Sequence, residues 1–130
     1  MSLPVSEFFS GKGIPKELLL ELSEDEDVFD SIKQGMLENN LNKVLVKKIE
    51  GHIKKAFINY MLGSRFKSRE IQKIKVEDAS GHYELMGKDF FGNLHVIINE
   101  EGKRNTVTLT KGKASEGLKI TLSFVQILSK

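Results

Sequence analysis

Apolar residues in the first half of the chain recur at the spacing of an α-helix. At 100° per residue, one apolar stripe contains Leu41, Leu45, Ile49, Ile53, Ala56, Phe57 and Tyr60. This spacing predicts a long amphipathic helix over residues 41–62 that ends at Gly63. Two shorter helices are predicted before it, one over 14–22 that starts at Ile14-Pro15 and one over 24–38 with Ser23 as its N-cap.

After Gly63 the period of the apolar residues changes to two, which is typical of strands. Five strands are predicted, over 70–77, 82–86, 93–99, 105–111 and 118–128. The segments between them are short and turn-like, Ser80-Gly81 among them, so consecutive antiparallel pairing is expected. The predicted inward face consists of Tyr83, Leu85, Leu94, Val96, Ile98, Val107, Leu109, Leu118, Ile120, Leu122 and Phe124.

These elements predict the α+β fold class, with N-terminal helices and a long amphipathic helix packed on a C-terminal antiparallel meander of about five strands. The order of elements resembles that of cystatin-like and related α+β rolls, and a likeness of element order carries no function or site. Residues 1–13 are expected to be a flexible lead-in, and residues 14–130 a single domain, since 130 residues is a common domain size.

Composition excludes several classes of protein. No apolar run approaches the roughly 18 to 20 residues that a membrane-spanning helix needs. The first ten residues lack the basic and apolar regions of a secretory signal, and the chain contains no cysteine, so disulfides and thiolate metal sites are excluded. We therefore expect a cytoplasmic protein that does not bind membranes.

Catalytic and cofactor motifs are not found in the sequence. Neither Gly11-Lys12-Gly13 nor the lysine-rich segment 111–115 has the spacing of a phosphate-binding loop, and there is no Gly-x-Ser-x-Gly elbow. His82, Glu84 and His95 would share the outer face of adjacent strands, which could suit zinc or iron. Alternation alone also places polar residues there, so no metal, cofactor or catalytic residue is predicted.

Charge is distributed unevenly along a chain whose net charge is +2. Residues 1–42 carry nine acidic and three basic residues, a balance of −6, and residues 43–75 carry ten basic and two acidic residues, a balance of +8. The basic segment could contact nucleic acid through Lys47, Lys48, Lys54, Lys55, Arg65, Lys67 and Arg69. It could equally pair with the acidic segment 17–30, within one chain or across a dimer.

Several apolar residues fall outside the predicted core and are candidate contacts for a partner. They are Val44, Ile58 and Leu62 on a second stripe of the long helix, Phe90 and Phe91 near a hairpin tip, and Val125 and Ile127 on the last strand. The leading hypothesis is a non-catalytic protein-interaction or self-association module, most simply a homodimer. The alternatives are a nucleic-acid-binding protein that uses residues 43–75, and a small-ligand or enzymatic pocket between helix and sheet lined by Phe57, Tyr60, Met61, Tyr83 and Met86.

Overall fold

The computed structural model describes residues 13–127, which contain one α-helix and six β-strands. Their bounds are β1 Gly13–Leu22, α1 Val28–Glu38, β2 Lys43–Leu62, β3 Arg65–Met86, β4 Asp89–Glu100, β5 Lys103–Ala114 and β6 Leu118–Ile127. The predicted α+β class is wrong, because most of the described chain is antiparallel β and the long helix is the strand β2. The predicted lead-in, apart from Gly13, lies outside the described residues.

The strands form one antiparallel sheet in the order β1-β6-β2-β3-β4-β5. β2 pairs with β6 over residues 45–50 and with β5 over residues 53–59, so the sheet curls and closes on itself. Register shifts between Val46 and Lys48 and between Ile53 and Lys55 mark β-bulges that bend β2 between these two partners. β6 lies between β1 and β2, so the expected pairing of each strand with the next fails after β5.

The helix α1 closes the opening between the two ends of the strand order. It packs against β1 and β5 and buries Val28, Ile32 and Met36 completely. Its N-cap is Asp27, whose carboxylate accepts hydrogen bonds from the backbone N–H groups of Phe29 and Asp30 at 2.9 and 3.0 Å. A helix is therefore present within the predicted range 24–38, but it begins at Val28, and the predicted N-cap Ser23 is wrong.

Bulges explain why β2 has the spacing of a helix. Its buried residues are Val44, Val46, Ile49, Ile53, Ala56 and Ile58, at successive intervals of two, three, four, three and two residues. Each bulge adds a residue that is not matched on the partner strand, so the period of two is lost locally. The middle intervals then coincide with the three- and four-residue spacing of a helical face.

The predicted first helix is also a strand. β1 pairs with β6 over ten consecutive residues, and Leu22 is buried while Leu19 is 58% exposed. Leucine and glutamate are good helix formers, but helix propensity is a small free-energy term, and pairing with β6 overrides it.

The second half of the sheet follows the predicted alternation. The predicted inward residues from Tyr83 to Leu122 are buried, and Phe124 packs against the core. The expected turn at Ser80-Gly81 is wrong, because β3 runs through it without a break and Gly81 pairs with Val46 on one side and Leu94 on the other. In the described part of the chain, no helix is long and apolar enough to cross a membrane.

Tyr83 is the buried titratable group of this core. Its ring stacks on Phe90 with 5.0 Å between centroids and meets the edge of Phe29 at 6.0 Å. Burial raises the pKa of the Tyr83 phenol above its ordinary value of 10.0. Below about pH 10 the folded and the unfolded chain both carry the neutral phenol. At higher pH the unfolded chain loses the phenol proton first, which stabilises the unfolded state, so the free energy of unfolding falls as pH rises.

Above about pH 10, we expect the free energy of unfolding of the native protein to fall with pH more steeply than that of Tyr83→Phe. The difference between the two slopes should be up to ~1.4 kcal/mol per pH unit. Phenylalanine keeps the ring contacts and removes only the titrating group. Urea unfolding of both proteins between about pH 8 and 11 measures the difference. Parallel stability curves would show that Tyr83 ionises freely in the folded protein.

Candidate interaction surface

The hairpin between β2 and β3 extends beyond the closed part of the sheet. The last pair between β2 and β5 joins Asn59 to Thr108, whereas β2 and β3 continue to the pair Leu62 and Arg65. The turn contains Gly63, whose φ of 64° is the left-handed conformation that glycine adopts at little cost. We call residues 60–67 the arm, a ribbon of two strands with no third strand beside it in the described chain.

Three large apolar side chains lie exposed on the arm. Met61 is 54%, Leu62 63% and Phe66 79% exposed, and Met61 lies directly opposite Phe66 in the register. Single exposed apolar residues are ordinary, but adjacent ones on a protruding element are typical of an interaction site. We call these three residues the tip patch.

The predicted partner contacts fall into different environments. Val44 and Ile58 are at most 1% exposed, so they belong to the core and offer no surface to a partner. Phe90 packs on the core beside Tyr83. Leu62 belongs to the tip patch, and Phe91 is 46% exposed near the start of β4, where it pairs with Glu84 of β3.

The last strand, β6, pairs with β1 along its whole length. Val125 is half-buried opposite Pro15, and Ile127 is opposite Gly13 in the register. The apolar end of β6 thus has a neighbour within the same chain.

Five of the seven cations predicted to contact nucleic acid form ion pairs within the chain. The pairs are Lys47 with Glu17, Lys48 with Glu50, Lys54 with Glu24 and Asp25, Lys55 with Glu70, and Arg69 with Glu100. The hydrogen bond between Lys48 and Glu50 raises the pKa of Lys48 and lowers the pKa of Glu50. Hydrogen bonds to carboxylates likewise raise the pKa of Lys54 and Arg69. A cation beside a carboxylate attracts phosphate less strongly, so much of the basic segment is neutralised.

Four cations of β3 are exposed and form no ion pair among residues 13–127. They are Arg65 and Lys67, which the sequence analysis selected, and Lys73 and Lys75, which it did not. Lys73 has a φ of 52°, which marks an irregular point in the strand. β3 therefore carries four free cations, and the count of charges along the sequence was the signal that pointed to this segment.

The histidines do not form a metal centre with Glu84. The register pairs His82 with Asn93 and His95 with Ser80, so the two histidines are diagonal neighbours on the outer face. The His95 ring shares a hydrogen bond with Thr108 at 3.1 Å, and Glu84 faces Lys43 at 3.9 Å. Within residues 13–127, no three histidine, aspartate or glutamate side chains are grouped so that they could hold a metal ion.

The predicted pocket between helix and sheet does not exist, because its helix is part of the sheet. Tyr83 is buried, whereas Met61 is exposed near the end of β2 and Met86 is exposed at the end of β3. A cleft of about 380 Å³ instead separates the arm from β4 and β5. Its lining includes the three residues of the tip patch, together with Tyr60, Arg69, His95, Glu100 and Thr108. The Arg69 guanidinium lies 5.4 Å from the centre of the Tyr60 ring.

A curled six-stranded antiparallel sheet closed by one helix is a fold that other solved structures share. A metal-containing protein from Archaeoglobus fulgidus is 18% identical, with a TM-score of 0.71 over 98% of this chain and 89% of that one. A plant- and prokaryote-conserved protein from Pyrococcus horikoshii is 19% identical, with a TM-score of 0.69 over 94% and 87%. A proposed DNA-binding protein from Ralstonia eutropha is 11% identical, with a TM-score of 0.67 over 83% and 76%.

At these identities the similarity establishes the fold and nothing about activity. No protein-family model matches the chain, and no curated protein sequence does.

Proposed function

We propose that this protein is a non-catalytic self-association module whose copies meet through the tip patch. The observation that carries this proposal is the exposure of Met61, Leu62 and Phe66 on an element that protrudes from the sheet. Burying apolar surface stabilises a complex by roughly 25 cal/mol per Å², so three such side chains are a substantial source of affinity.

The arm also gains from a partner for a structural reason. A ribbon of two strands is marginally stable in water unless a third layer packs on it. Residues 60–67 have no buried side chain, whereas the same two strands bury Ala56, Ile58 and Ile71 where β5 lies beside β2. A second copy packed on the tip patch would supply the missing layer.

Charge supports an apolar rather than an electrostatic association. Glu17, Glu24 and Asp25 of the acidic segment already bind Lys47 and Lys54 of the same chain. These carboxylates are therefore less available to the lysines of a second copy, and pairing of acidic with basic segments across a dimer loses much of its driving force.

The double variant Leu62→Gln/Phe66→Gln is expected to weaken self-association at least about tenfold, because it removes the two most exposed members of the tip patch. Sedimentation velocity over a concentration series measures the effect. Leu37→Gln is the matched control, because Leu37 is 49% exposed on α1. Equal weakening in both variants, or in neither, would contradict a role for the tip patch.

Nucleic acid binding is the second candidate. It is favoured by the four free cations of β3 and by the fold shared with a protein proposed to bind DNA. It is weakened by the five neutralised cations, since non-specific affinity rises with the number of phosphates that the protein contacts. Any such binding would depend on Arg65, Lys67, Lys73 and Lys75.

A further inference from the structure

We propose that the outer edge of β3 from Arg65 to Lys75 binds an acidic peptide segment in extended conformation, which adds a strand to the sheet. This surface shares only Phe66 with the tip patch, and Lys73 and Lys75, which its test changes, lie outside the arm, so the proposal can be tested independently of self-association. It uses the backbone of residues 65–75 and the four free cations on them.

The backbone of this segment is available for pairing. β3 pairs with β2 along residues 65–76, but its pairing with β4 begins only at Val76, opposite Ile98. No other described strand lies along residues 65–75, and all of them except Ile71 and Ile74 are exposed. An open edge presents unpaired N–H and C=O groups, which an added strand satisfies by main-chain hydrogen bonds.

The positive charge of this edge determines which kind of peptide strand can bind to it. Arg65, Lys67, Lys73 and Lys75 have no carboxylate partner in the described chain, while Glu70 is held by Lys55. They are distributed over about 33 Å of strand, at ~3.3 Å per residue. Carboxylates at intervals along an extended peptide can meet cations distributed in this way.

A second copy of this chain does not fit the same edge. Two β3 edges paired with each other would bring lysines and arginines against lysines and arginines, which is destabilising. The exposed edge strand β1 carries Lys16, Glu17 and Glu21, but Glu17 is already bound to Lys47. The remaining charges of β1 cancel, so β1 offers no complement to the β3 edge.

Nucleic acid is a poorer match than a peptide. Its phosphates could meet the cations, but it has no row of peptide groups to pair with the open edge. For base stacking this segment offers the exposed ring of Phe66, whereas the Tyr60 ring is already covered by Arg69. The observations therefore favour an acidic strand.

The test is a titration, by fluorescence anisotropy at about 50 mM salt, of a labelled peptide of alternating glutamate and valine. We expect saturable binding, and Lys73→Glu/Lys75→Glu should weaken it about tenfold, the equivalent of two modest charge contacts. The control Lys16→Glu/Lys88→Glu makes the same change in net charge on exposed lysines of β1 and the β3–β4 turn and should leave affinity within about twofold.

Three further probes make the result decisive. The same peptide with N-methyl groups at alternate residues keeps its charge but cannot form a continuous ladder, and we expect it to bind at least about tenfold more weakly. Equal binding of the two peptides, equal binding of a lysine-valine peptide, or no binding at about 1 mM would overturn the proposal. Binding of a single-stranded oligonucleotide that depends on Lys73 and Lys75, without peptide binding, would assign the edge to nucleic acid instead. Self-association of Lys73→Glu/Lys75→Glu should remain unchanged.

Discussion

Replacing Ile53 with alanine is expected to lower the free energy of unfolding by about 3 to 4 kcal/mol. Ile53 is 1% exposed and lies where β2 pairs with two strands at once, opposite Ile74 on β3 and opposite Ala114 on β5. Its Cγ2 atom lies 3.5 Å from the position that a Cβ on Gly112 would occupy, so β5 packs closely on it. Truncation leaves a cavity at the seam where the sheet closes, and three strands would have to move together to fill it.

Leu19→Ala is the control for this substitution, because Leu19 is 58% exposed on β1 and its loss should cost less than about 1 kcal/mol. Urea unfolding of the native protein and both variants measures the two free energies. Similar losses in the two variants would mean that the seam at Ile53 is not packed as described.

The second large effect is expected at Gly81, where alanine should cost about 2 to 3 kcal/mol through overpacking. A Cβ at Gly81 would lie 2.3 Å from the carbonyl oxygen of Asn93 and 3.0 Å from the Cα of Leu94, both backbone atoms of β4. Backbone cannot move aside as a side chain can, so β3 and β4 must separate in the middle of their ladder. Chemical denaturation detects the loss, and amide hydrogen exchange should locate it in β3 and β4.

Gly102→Ala is the comparison that isolates this clash. Gly102 lies in the β4–β5 turn, where an added Cβ meets no atom within 4 Å, although its φ of 83° is unfavourable for alanine. We expect a cost of about 1 to 2 kcal/mol there from backbone conformation alone. If Gly102→Ala proved as destabilising as Gly81→Ala, the result would contradict the close approach of β3 and β4.

The strands β4, β5 and β6 were predictable because each keeps a period of two with turn residues at its ends. Leu94, Val96 and Ile98 alternate with polar neighbours, and all three are at most 1% exposed. The pairing of β6 was not predictable, because a short loop favours the adjacent strand and nothing local indicates that β1 and β2 flank β6 instead.

The largest error, the helix over 41–62, has a physical origin in the bulges of β2. The three-residue intervals from Val46 to Ile49 and from Ile53 to Ala56 each contain a bulge. The four-residue interval between them keeps the period of two, with Gly51 at its centre. The sequence did contain a contrary signal, since β-branched residues dominate the buried positions of β2 and Gly51 interrupts it. Weighing residue type beside periodicity would have favoured a strand.

The same error affected the candidate surface. Val44 and Ile58 were selected because they lie opposite the main stripe of a helix, and in a strand they face the core. Phe66 was missed as a partner contact because it belonged to a connection rather than to an element. Only the register of the β2–β3 hairpin brings it opposite Met61.

Sedimentation velocity of the native protein, from about 1 to 100 μM, tests the central claim of self-association most directly. We predict a weight-average mass that rises with concentration or already exceeds the 14.7 kDa of one chain, and that returns to it in Leu62→Gln/Phe66→Gln. A mass of one chain at every concentration, with Met61, Leu62 and Phe66 intact, would contradict the proposal.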